Sequence, residues 1–348
     1  MTAQESLVLQ ASDLSLETIA AMVESEAIDV SPGYQRRARW DTQKQGALIE
    51  SFLLNVPVPP VYLAEEDYGT YSVIDGKQRI TTIAAFMRNE LPLRGLERFD
   101  ELDGSSFEDL PPELANALRV RPYVRAVTLL KQSDPQLKYE VFTRLNTGGV
   151  KLNAQEIRNV AYSGPLNDLV YELAENPFLR QQLKIRGPKS SAFTKMLDAE
   201  YVLRFLTLSE SWRSFSGDLS RSMDSYMLSN RFATSSDIRA TRKKFRSAIE
   251  GCEAIWGARA FQRPAGSGWR DQALAGMYDA QMIAVSELSP SQQHAVAQEG
   301  TRASKSIRRL FQDSDFDSAV RQGTNTPSRV RYRIRSTSEA LLGLIKAD

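Results

Sequence analysis

Tyr71-Ser-Val-Ile-Asp-Gly-Lys-Gln-Arg-Ile-Thr-Thr-Ile-Ala-Ala-Phe86 is the stretch whose reading decides the N-terminal fold. Val73 and Ile74 end an apolar, β-prone run that follows the turn residues Asp67 to Gly69. A polar knot, Asp75 to Arg79, comes next, and Ile80, Ile83, Ala84 and Met87 then recur at helical spacing. The expected order is strand, tight loop, helix. Charged side chains gather where the helix begins, a place with unpaired backbone N–H groups and a positive dipole end. Gly76 permits positive φ and close approach of a ligand to the backbone. Lys77 and Arg79 add positive charge, so the knot suits a phosphate. An Asp-Gly pair is also an ordinary turn, and surface Lys and Arg are common. The Gly-x-x-x-x-Gly-Lys-Ser/Thr spacing of a Walker A loop is absent. The pentapeptide alone leaves both readings open.

Working outward, the N-terminal part alternates helical and strand patterns. A helix is expected over 14–25 and a short strand at 28–30. Asp41 then caps a helix that runs to Asn55. Pro57-Val-Pro-Pro60 stops that helix, and Val61 opens a strand paired with the one ending at Ile74. Another strand is expected over 119–128, and Asp134-Pro135 starts a helix. Asn153 with Glu156 three residues later forms a capping box in sequence. Beyond Gly164 only helices are expected. The fold class is α+β: a small mixed sheet in a first domain, 1–163, then an all-helical second domain, 164–348.

Composition narrows the chemistry. The 348 residues are 42% hydrophobic and 25% charged, as in water-soluble globular proteins, and the net charge is only +1. Any nucleic-acid contact must therefore be a local patch. No window approaches a membrane span, and Met1 to Ser6 lacks a secretion-signal pattern, so the expected location is cytoplasmic, with no membrane partner. One cysteine, Cys252, excludes an intrachain disulfide and a multi-cysteine zinc site. The single histidine, His294, argues against His-rich nuclease centres. Catalysis would rest on carboxylates, Lys, Arg and a bound metal ion.

Three basic stretches accompany the knot. Tyr34-Gln-Arg36-Arg-Ala-Arg39-Trp40 offers arginines between aromatics, which fits either phosphate contact or packing of Tyr34 and Trp40 under solvated arginines. Arg239 to Arg246 reads chiefly as the solvated back of an amphipathic helix. Arg329-Val-Arg331-Tyr-Arg333-Ile-Arg335 places arginine at alternate positions, and these four are candidates for nucleic-acid contact.

Three segments match a known family in order and spacing: Tyr34-Gln35-Arg36 with Trp40; Ile74-Asp75-Gly76-Lys77-Gln78-Arg79; and Phe142-Thr-Arg144-Leu-Asn146 with Gly148, Gly149, Leu152 and Glu156. The chain resembles the GmrSD-type restriction endonuclease N-terminal domain family, related to the ParB/sulfiredoxin-like fold. The likeness covers residues 14 to about 175. It implies an NTP-binding and NTP-hydrolysing module of a bacterial restriction or phage-defence system. Carried over, Asp75, Gln78 and Arg79 become catalytic candidates, with Asp75 as the Mg²⁺ ligand. Gly76 is carried over as a nucleotide-binding candidate, and the charge and position of Lys77, Arg36, Arg39, Arg144 and Asn146 add these residues as further nucleotide-binding candidates for the same cleft. The family motif most often has Gln where this chain has Lys77. Longer members carry an HNH nuclease domain, which one histidine cannot furnish, so a short form without it is expected. The expected cofactors are Mg²⁺ and NTP. The expected partners are nucleotide, DNA and a separate nuclease or defence subunit. Two alternatives accompany this reading. One is a metal-dependent ParB-like DNA nuclease using Asp75, Glu50 or Glu156. The other is a non-catalytic nucleotide- or DNA-sensing protein.

Overall fold

A computed structural model describes residues 7–30, 40–134, 137, 140, 141, 144, 153–162, 164–187 and 190–345. The chain divides into two compact units, Met1–Ala161 and Tyr162–Asp348.

The first unit is built on a five-stranded mixed sheet. Its strands are β1 (Leu9–Ser15), β2 (Ile28–Asp29), β3 (Val61–Asp67), β4 (Thr70–Asp75) and β5 (Tyr123–Leu129), in the order β1-β5-β3-β4-β2. The β1–β5 and β3–β4 pairs are antiparallel; β3–β5 and β2–β4 are parallel. Its helices are α1 (Leu16–Glu24), α2 (Thr42–Leu53), α3 (Lys77–Met87), α4 (Pro112–Val120) and α5 (Ala154–Ala161).

Both faces of the central strands are covered. Val61, Leu63, Val73, Val124 and Ala126 join Ile19, Ile49, Phe52, Ile80, Ile83 and Phe86 in one apolar cluster. Ala64, Ile74 and Leu129 point the other way and pack with Ile157 of α5. Successive side chains alternate across a sheet, so Val73 and Ile74 serve opposite cores. That is why the β4 sequence reads as an unbroken apolar run.

Local capping sets the helix starts. Ser15 caps α1 by accepting from the Thr18 N–H, and Asp41 caps α2 by accepting from the Lys44 N–H at 2.8 Å. The Asn153–Glu156 capping box forms reciprocally, with bonds of 2.6 and 2.9 Å. The Leu137 N–H likewise donates to Asp134 Oδ1 at 3.2 Å.

Three sequence expectations change. First, β1 has no apolar alternation to announce it, because its side chains are largely exposed. Backbone pairing with β5 holds it, together with a two-bond ion pair between the directly opposed Asp13 and Arg125. Second, Arg119 and Val120 belong to α4, and β5 begins only at Tyr123. Third, the second unit is not purely helical: Arg263–Ala265 (β6) and Gly268–Arg270 (β7) form a hairpin. Arg308 donates to the carbonyls of Gly266, Ser267 and Gly268 and stacks over Trp269, which holds this short ribbon in place.

The helices of the second unit are α6 (Pro165–Ala174), α7 (Pro177–Gln182), α8 (Ser191–Thr194), α9 (Leu197–Ser211), α10 (Leu219–Ser229) and α11 (Ser235–Trp256). They continue with α12 (Ala275–Ser286), α13 (Pro290–Gln298), α14 (Gly300–Leu310), α15 (Ser314–Arg321) and α16 (Pro327–Ile345). Helix α12 is central, with every residue from Gly276 to Val285 buried. A helix apolar all round belongs in a core. Gly276 lets α15 approach closely, since a Cβ there would lie 2.4 Å from the Val320 carbonyl oxygen. Asp279, mid-helix, accepts from both Arg204 of α9 and Arg333 of α16, all three being buried. Cys252 is also fully buried, and burial pushes its thiol well above the usual range.

Candidate functional site

Strand β4 delivers Asp75 to the start of α3 with its side chain 51% exposed. Gly76 follows at φ 94° and ψ 11°, the left-handed region that favours glycine. A second constraint acts on the same residue: a Cβ there would lie 2.5 Å from Val61 Cγ1. Gly76, the N-cap of α3, offers no capping side chain, and among the described residues none caps this donor-rich helix start.

Arg79 lies one turn after Asp75, with its side chain only 14% exposed. Its Nη2 donates to Asp75 Oδ2 at 2.8 Å and to the Pro60 carbonyl at 3.1 Å. Among the described residues its buried Nε has no hydrogen-bond partner. Gln78 Oε1 accepts from the Trp40 backbone N–H at 3.0 Å, tying the residue after Arg39 to the first turn of α3.

Lys77 is half-buried. Burial lowers its pKa, while the carboxylates of Asp29 and then Glu156 act in the opposite sense. The ammonium thus sits within electrostatic reach of β2 and α5. A partly dehydrated cation interacts with a phosphate more strongly than one fully in water.

The sequence-predicted residues divide as follows. Asp75, Gly76, Lys77, Gln78 and Arg79 are contiguous and gathered at one strand–helix junction. Arg144 is exposed and forms an ion pair with Glu140 one turn earlier. Arg36, Arg39 and Asn146 lie outside the described residues. Sequence reasoning missed the Pro60 carbonyl and Asp29 as neighbours of the knot. No local signal marks either, because β3 and β2 reach it only by pairing with β4.

Two proposed metal ligands have structural duties. Glu50 is 7% exposed, and its Oε1 accepts the backbone N–H groups of Glu97, Arg98 and Phe99 at 2.9, 2.6 and 3.3 Å. It anchors a loop and is not presented to a ligand. Glu156 is the acidic half of the α5 capping box. Among the described residues no group of three or more His, Cys, Asp or Glu could hold a metal ion.

The α16 arginines also need correction. At 100° per residue, alternate positions of a helix do not share a face. Arg333 is 0% exposed, donates to Asp279 and to the Ala319 carbonyl at 3.0 Å, and cannot reach a nucleic acid. Arg329 donates to the Gln322 carbonyl at 2.7 Å, and Arg331 to the Phe215 carbonyl at 3.3 Å. Arg335 remains exposed.

Residues 19–163 match the family described as GmrSD restriction endonuclease, N-terminal domain. This segment is a GmrSD-type domain. Within it, the strand–loop–helix junction at Asp75–Arg79 lies at the end of β4, where α3 begins. The match covers the first unit from residue 19 onward and suggests a component of a restriction or phage-defence system. Comparison with curated proteins and with solved structures gave no significant match. Among the described residues no helix is long and apolar enough to cross a membrane.

Proposed function

We propose that the Asp75–Arg79 junction binds a nucleoside triphosphate and hydrolyses it in service of DNA restriction or phage defence. One observation carries this reading: an uncapped helix start that combines a left-handed glycine, a half-buried lysine and a carboxylate–guanidinium pair. The first-turn N–H groups of α3 would hold phosphate oxygens, and Lys77 would neutralise their charge. Arg79 holds Asp75 in place through the bond to Oδ2 and is itself pinned by the Pro60 carbonyl. Half-exposed, Asp75 fits Mg²⁺ bound through a single carboxylate, with phosphates and water completing the shell. The ion would supply charge stabilisation at the transferring phosphoryl group. Gln78 has its carbonyl oxygen engaged by Trp40, which makes it a positioning residue that fixes the approach of the preceding segment.

The nuclease reading finds less support. Glu50 serves the 97–99 loop and Glu156 serves a cap, and among the described residues Asp75 belongs to no group of three or more His, Cys, Asp or Glu that could hold a metal ion. The test is phosphate release from ATP and GTP with Mg²⁺ by the wild type and by Asp75→Asn, an exposed substitution that spares the core. Loss of turnover in the variant is expected. Equal rates would sink the assignment. A thermal shift with saturating nucleotide provides the binding arm, because a ligand at 100 times its Kd stabilises by about 2.7 kcal/mol.

A further inference from the structure

Helix α11 turns two different sides to its surroundings. Phe245, Ala248, Ile249 and Cys252 are buried. Arg239, Arg242, Lys243 and Arg246 fall within about 100° of arc on the other side, given 100° per residue. With α13 they line a groove of about 650 Å³, whose far wall includes His294.

The charges there are unevenly matched. Arg242 and Arg246 share one carboxylate, Glu172, at 2.7 to 3.1 Å. Arg239 and Lys243 are exposed, and among the described residues no carboxylate pairs with either. Glu250 is the acidic residue within the lining. Four cations from Lys and Arg therefore face two carboxylates, a net excess of two positive charges. The remaining wall residues include Pro290, Gly251, Ala254 and Ala297. No Phe, Tyr or Trp lines the groove for base stacking, and no large apolar residue for insertion into lipid.

From Arg239 to Arg246 the helix rises about 10 Å, the length of roughly three phosphates along one strand of a duplex. A linear array of cations without stacking groups suits a linear polyanion held by its backbone. We propose that the α11–α13 groove binds the phosphodiester backbone of duplex DNA, without reading base sequence. Of the α16 arginines, which the sequence singled out, Arg329 and Arg331 donate to carbonyls and Arg333 to Asp279, which leaves Arg335 exposed alone, whereas Arg239 and Lys243 of α11 are exposed together one turn apart.

The test uses the full chain and a fluorescein-labelled duplex, with anisotropy titrations between 50 and 200 mM NaCl. Each phosphate contact contributes about 0.9 to the log–log salt slope. Removing two in R239A/K243A should flatten the slope by about 1.8, so that affinity changes about 12-fold less over that range. Duplexes of unrelated sequence should bind alike. E250Q should tighten binding, and R329A/R335A should keep the wild-type slope. Circular dichroism melting of each variant checks the fold, since the α11 positions are exposed. A wild-type slope in R239A/K243A would overturn the proposal. So would weaker binding by E250Q, or wild-type protein that holds anionic vesicles but no DNA at 50 mM salt.

Discussion

Replacing Gly76 by alanine separates two reasons for the glycine: phosphate approach and packing. Two structural costs are on view. The residue sits at φ 94°, where an L side chain costs about 1–2 kcal/mol. A Cβ would also lie 2.5 Å from Val61 Cγ1 and 3.0 Å from Val61 Cβ. Overpacking of that kind costs about 1–3 kcal/mol. Together Gly76→Ala should destabilise the sheet by about 2–5 kcal/mol, which speeds exchange of protected amides about 30-fold to several-thousand-fold. Hydrogen exchange of peptides covering β3 and β4 reads this directly. Val61→Ala removes the obstructing methyls at its own cost of about 1–3 kcal/mol, judged from single-methyl deletions. The double variant should then be more stable than additivity requires by about 1–3 kcal/mol, while the backbone term persists. A coupling within about 0.5 kcal/mol of zero would refute the clash and leave the left-handed backbone and ligand approach as the reasons for Gly76.

Three further outcomes follow from the same geometry. Lys77→Gln should raise stability at pH 7 and lower nucleotide affinity. Burial lowers the Lys77 pKa below 10.5, so folding disfavours its charged form. That penalty is fully present below the folded pKa and fades as pH rises toward 10.5; the melting-temperature gain should therefore shrink by pH 10. Glu50→Ala removes a charged acceptor from three backbone N–H groups and should cost about 3–6 kcal/mol, taking about 1.5–3 kcal/mol per bond for the two shorter ones. Faster proteolytic cleavage between residues 94 and 106 would report it; a wild-type cleavage rate would contradict the anchoring role. Asp279→Ala leaves Arg204 and Arg333 buried together without their carboxylate and should lower stability by about 3–5 kcal/mol, read by thermal melting. An unchanged transition would show that the two guanidiniums find other partners.

Much of the fold could be read along the chain because it is set by short-range bonds. The Asp41 cap, the Asn153–Glu156 box and the β4–Gly76–α3 junction each involve groups within four residues. Side-chain type and spacing therefore specify them. The apolar run ending at Ile74 likewise announces a strand buried on both faces. Strand β1 stayed hidden because its stabilisation lies across the sheet, in pairing with a segment more than a hundred residues away.

At the candidate site, sequence alone supplied the five contiguous residues and the left-handed glycine. It could not show that the Pro60 carbonyl pins Arg79, that Asp29 faces Lys77, or that Val61 leaves no room for a side chain at position 76. Those neighbours arrive by strand pairing, whose partners are not encoded in local spacing. The same limit governed the arginines. Spacing marked Arg239–Arg246 as a solvated helix face and Arg329–Arg335 as a contact surface, but burial of α16 against Asp279 internalised Arg333, while Arg239, Lys243 and Arg246 of α11 stay exposed. Residue type fixes charge; only the packed structure decides whether that charge meets a buried carboxylate or solvent.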